Sequence, residues 1–182
     1  MATKVKSIDS NHLLEVGLEG IYGDSMPDRK KFNPGGLMFG TDFISNNQIS
    51  GIDFATIHTY PDQWLTGSDF QAQINFLKSW TQTHISDSNS VLRKPLLVTE
   101  FGKNTTAPGT SITQRDTFYS SAYDLIYASA SGGGSGCGAL FWQWLADGMD
   151  QFRDGYEVVI SKSPSTALII SSASHKLIGL DH

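Results

Sequence analysis

The sequence predicts an α/β fold built on a parallel sheet, and three observations predict it. Short apolar runs alternate along the chain with amphipathic stretches of helical period. In "KPLLVTEFGK", Lys94 to Lys103, the run Leu96–Leu97–Val98 is apolar without alternation, as in a buried parallel strand covered by helices. Each strand candidate also ends in polar or aromatic residues, where parallel α/β folds bind ligands.

The elements follow in order. "HLLEVGLEG", His12 to Gly20, is the first strand candidate and "IDFATIHTY", Ile52 to Tyr60, the second. More than thirty residues separate them, with one short helical candidate near Thr41 to Asn47; loops of that length are usually functional. Phe70, Ile74, Leu77, Trp80 and Ile85 recur at helical spacing, so a helix is expected over 69–86, with "SDFQ", Ser68 to Gln71, as its capping box. The third strand is entered by Pro95 and closed by Gly102. "SITQ", Ser111 to Gln114, caps the next helix, and Gly132–Gly134 end it. "GALFWQW", Gly138 to Trp144, is the fourth strand. Pro164 then suits the first position of a last helix, reaching about Ile178.

Composition narrows the function. With 182 residues the chain is long enough for one domain with a core, and no second domain is expected within it. A net charge of −5 argues against nucleic acid as the main partner. No apolar run approaches the roughly 20 residues that cross a membrane, and "MATKVKSIDS" has no apolar core of a secretory signal. The one cysteine, Cys137 in "GGGSGCGAL", excludes an internal disulfide and reads as a small packing residue. No metal-ligand spacing and no phosphate-cradling glycine motif occurs, so no metal or other cofactor is expected.

The strand ends carry Glu19, then His58 and Tyr60, then Glu100, then Trp142, Gln143 and Trp144. Each has an ordinary reading. Glu100 would cap a turn or pair with Lys103, His58 would be a satisfied buried histidine, the two tryptophans would be core, and Glu15 and Glu19 would be edge charges. Gathered at one end of a sheet, however, they make a site. A carboxylate beside a phenol and an imidazole is held ionised and oriented, as a nucleophile requires. Indole faces stack on sugar rings while acids and amides bind hydroxyls, so carbohydrate is the substrate class these residues favour.

"GIDFATIHTYPDQWL", "KPLLVTEFGK" and "GALFWQWLADGMDQFRDGYEVV" closely resemble plant endo-β-1,4-mannanases of glycoside hydrolase family five. "HLLEVGLEGIYGDS" and "SPSTALIISSASHKL" are similar as well, so the resemblance covers nearly the whole chain. It implies a (β/α)8 barrel and retaining hydrolysis of β-mannan. It also implies Glu100 as nucleophile, His58 and Tyr60 as its neighbours, Trp142 under the sugar beside the cleaved bond, and Trp64 and Glu19 as further groove positions. Secretion and action on plant cell-wall hemicellulose follow from the same resemblance.

The family places its acid/base glutamate in an Asn-Glu-Pro motif after the fourth strand, and this chain has no Asn-Glu pair. Its first strand resembles the family's fifth. The expectation is therefore the C-terminal half of the barrel, strands five to eight, with Met1 to Ser10 as the end of the preceding helix. Such a truncated form is expected to be inactive alone and to self-associate through open sheet edges. Two alternatives stand beside it. One is a non-catalytic carbohydrate-binding remnant. The other is a flavodoxin-like interaction module, which needs five strands where four are visible.

Overall fold

A computed structural model describes residues 1–36 and 40–180; positions 37–39, within the long connection, lie outside the described residues. The sheet is parallel, in the order β1 (Ala55–Thr59), β2 (Leu96–Phe101), β3 (Gly136–Phe141). A second parallel pair joins β4 (Trp144–Leu145) to β5 (Val158–Val159). The α-helices are α1 (Ala2–Ile8), α2 (Phe43–Asn47), α3 (Pro61–Trp64), α4 (Phe70–Asp87), α5 (Ile112–Ser131) and α6 (Pro164–Ile178); α4 and α5 cover the sheet and α6 packs on α5.

The expected helices are present, because their starts are written locally. Ser111 accepts a hydrogen bond from the Gln114 N–H, and Pro164 opens α6 where a missing N–H costs nothing. Gly132 terminates α5. At α4 the cap is Asp69, which accepts from the Ala72 N–H, whereas the expected Ser68 hydroxyl finds no partner. Aspartate and serine cap comparably, and the position one residue later leaves Phe70 inside the first turn.

Two expected strands differ. His12–Gly20 runs beside β1 without forming a ladder. Two backbone bonds tie it there, Asp53 N–H to the Leu14 carbonyl at 2.8 Å and His58 N–H to the Glu19 carbonyl at 3.1 Å. Between them Leu18 donates to the Thr56 hydroxyl rather than to backbone, and Glu15 turns back on the Gly17 N–H. Gly17 and Gly20, at φ of +64° and +103°, leave the extended region, so a regular strand cannot persist. The fourth strand is shorter than expected. It stops at Phe141, the Trp142–Gln143 peptide is cis, and Trp144 belongs to β4. Trp142 thus lies beyond β3, and both tryptophans, expected in the core on their ordinary reading, are exposed.

The core lies between the sheet and α4–α5. Ala55, Ile57, Leu96, Val98 and Phe101 point from the strands to meet Leu77, Trp80, Phe118, Tyr119 and Ile126. Trp80 is fully buried and central, packed on Phe76, Trp64 and His84 with ring centroids 4.2–5.8 Å apart. The long connection contributes Tyr22, Phe43 and Ile44 to this core. Buried Asp87 pins it, accepting from the Tyr22 hydroxyl at 2.8 Å and from Arg29 at 2.7 Å. Cys137 is exposed on β3 rather than packed: Leu96 pairs with Gly136 and Leu97 with Gly138, so Cys137 is an extra residue in the strand.

Candidate active site

The strand alternation that buries Ile57 turns His58 to the other face, and Glu100 reaches it through an irregularity in the sheet. Ile57 pairs with Val98, yet His58 pairs with Glu100, so one extra residue, Thr99, is accommodated in β2. Such a bulge re-aims the side chains that follow it. With constant register Thr99 would face His58. Because of the shift, a carboxylate faces an imidazole.

The groups then meet at short range. The Tyr60 hydroxyl donates to Glu100 Oε2 at 3.0 Å. His58 Nδ1 stands 3.7 Å from the same oxygen and 3.2 Å from Glu19 Oε1. Tyr60 and His58 are mostly buried, while the Glu100 side chain keeps 36% of its surface open. Burial, followed by the Glu100 charge, pushes the Tyr60 phenol far above its usual range, so it stays protonated as a donor. At His58 burial opposes the positive charge. The Glu19 hydrogen bond and the charges of Glu19, Glu100 and Glu15 outweigh it and raise the pKa.

The raised value carries a sign. His58 binds its proton more tightly in the folded than in the unfolded chain. Its contribution is thus complete below the ordinary histidine pKa of about 6.5 and is lost as pH rises through the folded value. Urea midpoints of the wild-type chain minus those of His58→Gln should therefore shrink between pH 6 and pH 8. A difference that grew over this interval would contradict the arrangement. His84 must be kept constant in the comparison, since its burial lowers its pKa to about 4 and it contributes with the opposite slope.

The remaining expected residues lie in two places. Trp142 follows β3, its N–H bonded to the Phe101 carbonyl at 2.8 Å, one residue from Glu100. Trp142 is 41% exposed. Trp64 is half-buried behind Tyr60, edge-on to it at 6.4 Å and packed on Phe76 and Trp80. It belongs to the wall of the site and the core together. Lys103 does not pair with Glu100; it is buried against Asp62, 3.5 Å away.

Two participants, Tyr156 and Asp154, were not foreseen. Tyr156 packs edge-on to Tyr60 at 5.5 Å, and its oxygen accepts from Gln63 at 3.0 Å. Asp154 accepts from the Trp142 indole N–H at 2.7 Å. The Asp-Gly turn in "FRDGYE" is the sequence signal of this loop. Gly102 is where the parts converge. A β-carbon there would lie 2.8 Å from both the Trp142 carbonyl and the Tyr156 ring, and 3.4 Å from Tyr60. Among the described residues no group of histidine, cysteine and acidic side chains could hold a metal ion.

Comparison with known proteins adds lineage to this geometry. The chain is 57% identical over 178 residues to mannan endo-1,4-beta-mannosidase 1 of Oryza sativa subsp. japonica, covering 97% of this chain and 41% of that protein. It is 52% identical over 177 residues to mannan endo-1,4-beta-mannosidase 7 of Arabidopsis thaliana, again covering 97% and 41%. The chain thus spans about two-fifths of the length of these curated relatives. Among solved structures, the endo-beta-1,4-mannanase from Thermotoga petrophila superposes with a TM-score of 0.77 at 29% identity, over 100% of this chain and 39% of that one. A glycoside hydrolase family 5 mannosidase from Rhizomucor miehei, at 19% identity and a TM-score of 0.75, shares the fold. The β1–β3 sheet with its helices is accordingly the C-terminal half of a (β/α)8 barrel. The family model described as GH family 5 beta-mannosidase-like matches residues 1–156, and with most of its length so matched the chain belongs to that family.

Proposed function

We propose that this chain is one partial catalytic domain for the endo-hydrolysis of β-1,4-mannosidic bonds in mannan, galactomannan and glucomannan, with retention. One observation supports the reading above the others: Tyr60 donates to one oxygen of Glu100 at the end of β2. With Oε2 so held, the other oxygen is available to attack an anomeric carbon. His58 lies beside the same carboxylate and contributes positive character to it. The open indole of Trp142 is suited to stack on the sugar next to the cleaved bond.

Retaining hydrolysis needs a second carboxyl group about 5–5.5 Å from the first to protonate the leaving oxygen. Glu19 is a poor candidate. Its side chain is 42% exposed and already engaged by His58 Nδ1 at 3.2 Å. Because the 182 residues hold no Asn-Glu pair, the acid is proposed to come from the part of the barrel that these residues do not include.

The purified chain should therefore bind mannohexaose but release no reducing ends from galactomannan above background. Robust turnover that Glu100→Gln abolishes would show a resident acid and overturn this division of roles. Binding without turnover is also what a non-catalytic carbohydrate-binding remnant would do, and the exposed Trp142 favours that as the second reading. Mannan is a polymer met outside cells, so the proposal extends to a secreted protein acting on plant cell-wall hemicellulose. Among the described residues no helix is long and apolar enough to cross a membrane. The outer edge of β3, with exposed Leu140 near it and Trp144 beyond, fits self-association through sheet edges.

A further inference from the structure

We infer that Asp154 is a positioning residue which locks the Trp142 indole in one orientation beside Glu100, and that the loop carrying it is built for this purpose. The inference rests on the sugar-binding reading of Trp142 only for its consequence, not for its geometry.

Asp154 uses both carboxylate oxygens. Oδ2 accepts from the Trp142 indole N–H at 2.7 Å and from the Gln143 amide at 3.0 Å, while Oδ1 accepts from the Tyr156 backbone N–H at 2.9 Å. A free indole beyond the end of a strand has two side-chain torsions to explore. A charge-assisted bond to its one polar atom removes that freedom and leaves the ring face as the part open to a ligand. The Gln143 amide also donates to the Phe152 carbonyl, so the residue after Trp142 is held by the same loop.

The loop itself is anchored on two sides. The Glu157 carboxylate accepts from the Asp154 and Gly155 N–H groups at 3.2 and 2.8 Å and faces Arg153 at 3.6 Å. Across from it, the Thr105 N–H donates to the Gly155 carbonyl at 2.8 Å and the Asn104 amide to the Asp154 carbonyl at 3.4 Å. Asn104 follows β2 by three residues and donates its own N–H to Asp62, just beyond β1. The loop after β3 is thereby tied to the ends of both other strands. Gly155 has no room for a side chain: at φ of +91°, a β-carbon would lie 2.6 Å from the Asn104 amide. Asp154 is thus held on a rigid support, which a residue that orients another requires.

Indole N–H resonances of the 182-residue chain test the inference, with the Trp142 signal assigned through Trp142→Phe. In the wild type that N–H should exchange with solvent about tenfold more slowly than in Asp154→Ala, the effect of one bond to a charged acceptor. Asp154→Asn, close in shape and able to accept through its remaining carbonyl oxygen, should recover part of the protection. It also serves if the alanine variant folds poorly. Mannohexaose affinity should fall in the same order, while the Trp80 indole signal, a reporter of the core, stays unchanged. Equal exchange at Trp142 in all three proteins would overturn the inference. Protection that depends on Asp154 in a chain that binds no mannohexaose would uphold the positioning role and refute the sugar-binding reading instead.

Discussion

Glu100→Gln should lower mannan hydrolysis on the order of 10⁴-fold in a chimaera that joins these 182 residues to the remaining part of the Oryza relative, an effect typical of losing a covalent nucleophile. The substitution keeps the shape of the side chain and an acceptor for the Tyr60 hydroxyl, now 3.0 Å from Glu100 Oε2. Folding should therefore survive, and the loss should appear in kcat. A fluoro-sugar that traps glycosyl-enzyme intermediates should label Glu100 in the parent chimaera, read by peptide mass. Labelling of Glu19 instead, or a variant that kept a tenth of the activity, would remove Glu100 from its proposed role. Tyr60→Phe offers a graded comparison. It leaves the carboxylate in place but deletes the donor on Oε2, so its loss should be smaller than that of Glu100→Gln.

Trp80→Ala should destabilise the chain by about 3–5 kcal/mol, the range for emptying a large aromatic site from a packed core. Trp80 is fully buried and contacts Tyr22, Trp64, Phe76 and His84. Its indole N–H also donates to the His58 carbonyl at 2.9 Å, so truncation leaves that carbonyl without its partner at the end of β1. The predicted loss is a large share of a typical domain's stability, and urea denaturation should show the midpoint collapse. Trp80→Phe, which retains most of the ring and loses only the donor, should cost far less. Equal losses in the two variants would mean that the hydrogen bond, rather than the packing, dominates at this position.

Much of the fold was legible in the sequence because its signals are local. Ser111, Pro164 and Gly132 mark helix ends through chemistry within one turn of the chain, and the structure places α5 and α6 where they point. The apolar run at Leu96–Val98 became β2 for the same reason. His12–Gly20 has the apolar pattern of a strand, while the positive φ at Gly20 depends on how the backbone passes Ile57 and Trp80. A β-carbon on Gly20 would lie 2.7 Å from the former. The choice of Asp69 over Ser68 as cap likewise turned on a neighbouring residue that pattern alone does not rank.

For the site, the sequence by itself determined which chemical groups are on offer: the carboxylates of Glu19 and Glu100, the His58 imidazole, the Tyr60 phenol and the Trp142 indole, in a chain without an Asn-Glu pair. Only the tertiary structure decided how they face one another. The extra residue in β2 puts Glu100 rather than Thr99 opposite His58, and a loop more than fifty residues further on brings Asp154 to the Trp142 indole. Residue type follows from local composition, whereas register and loop closure are set by long-range packing, where a shift of one residue exchanges the faces of a strand.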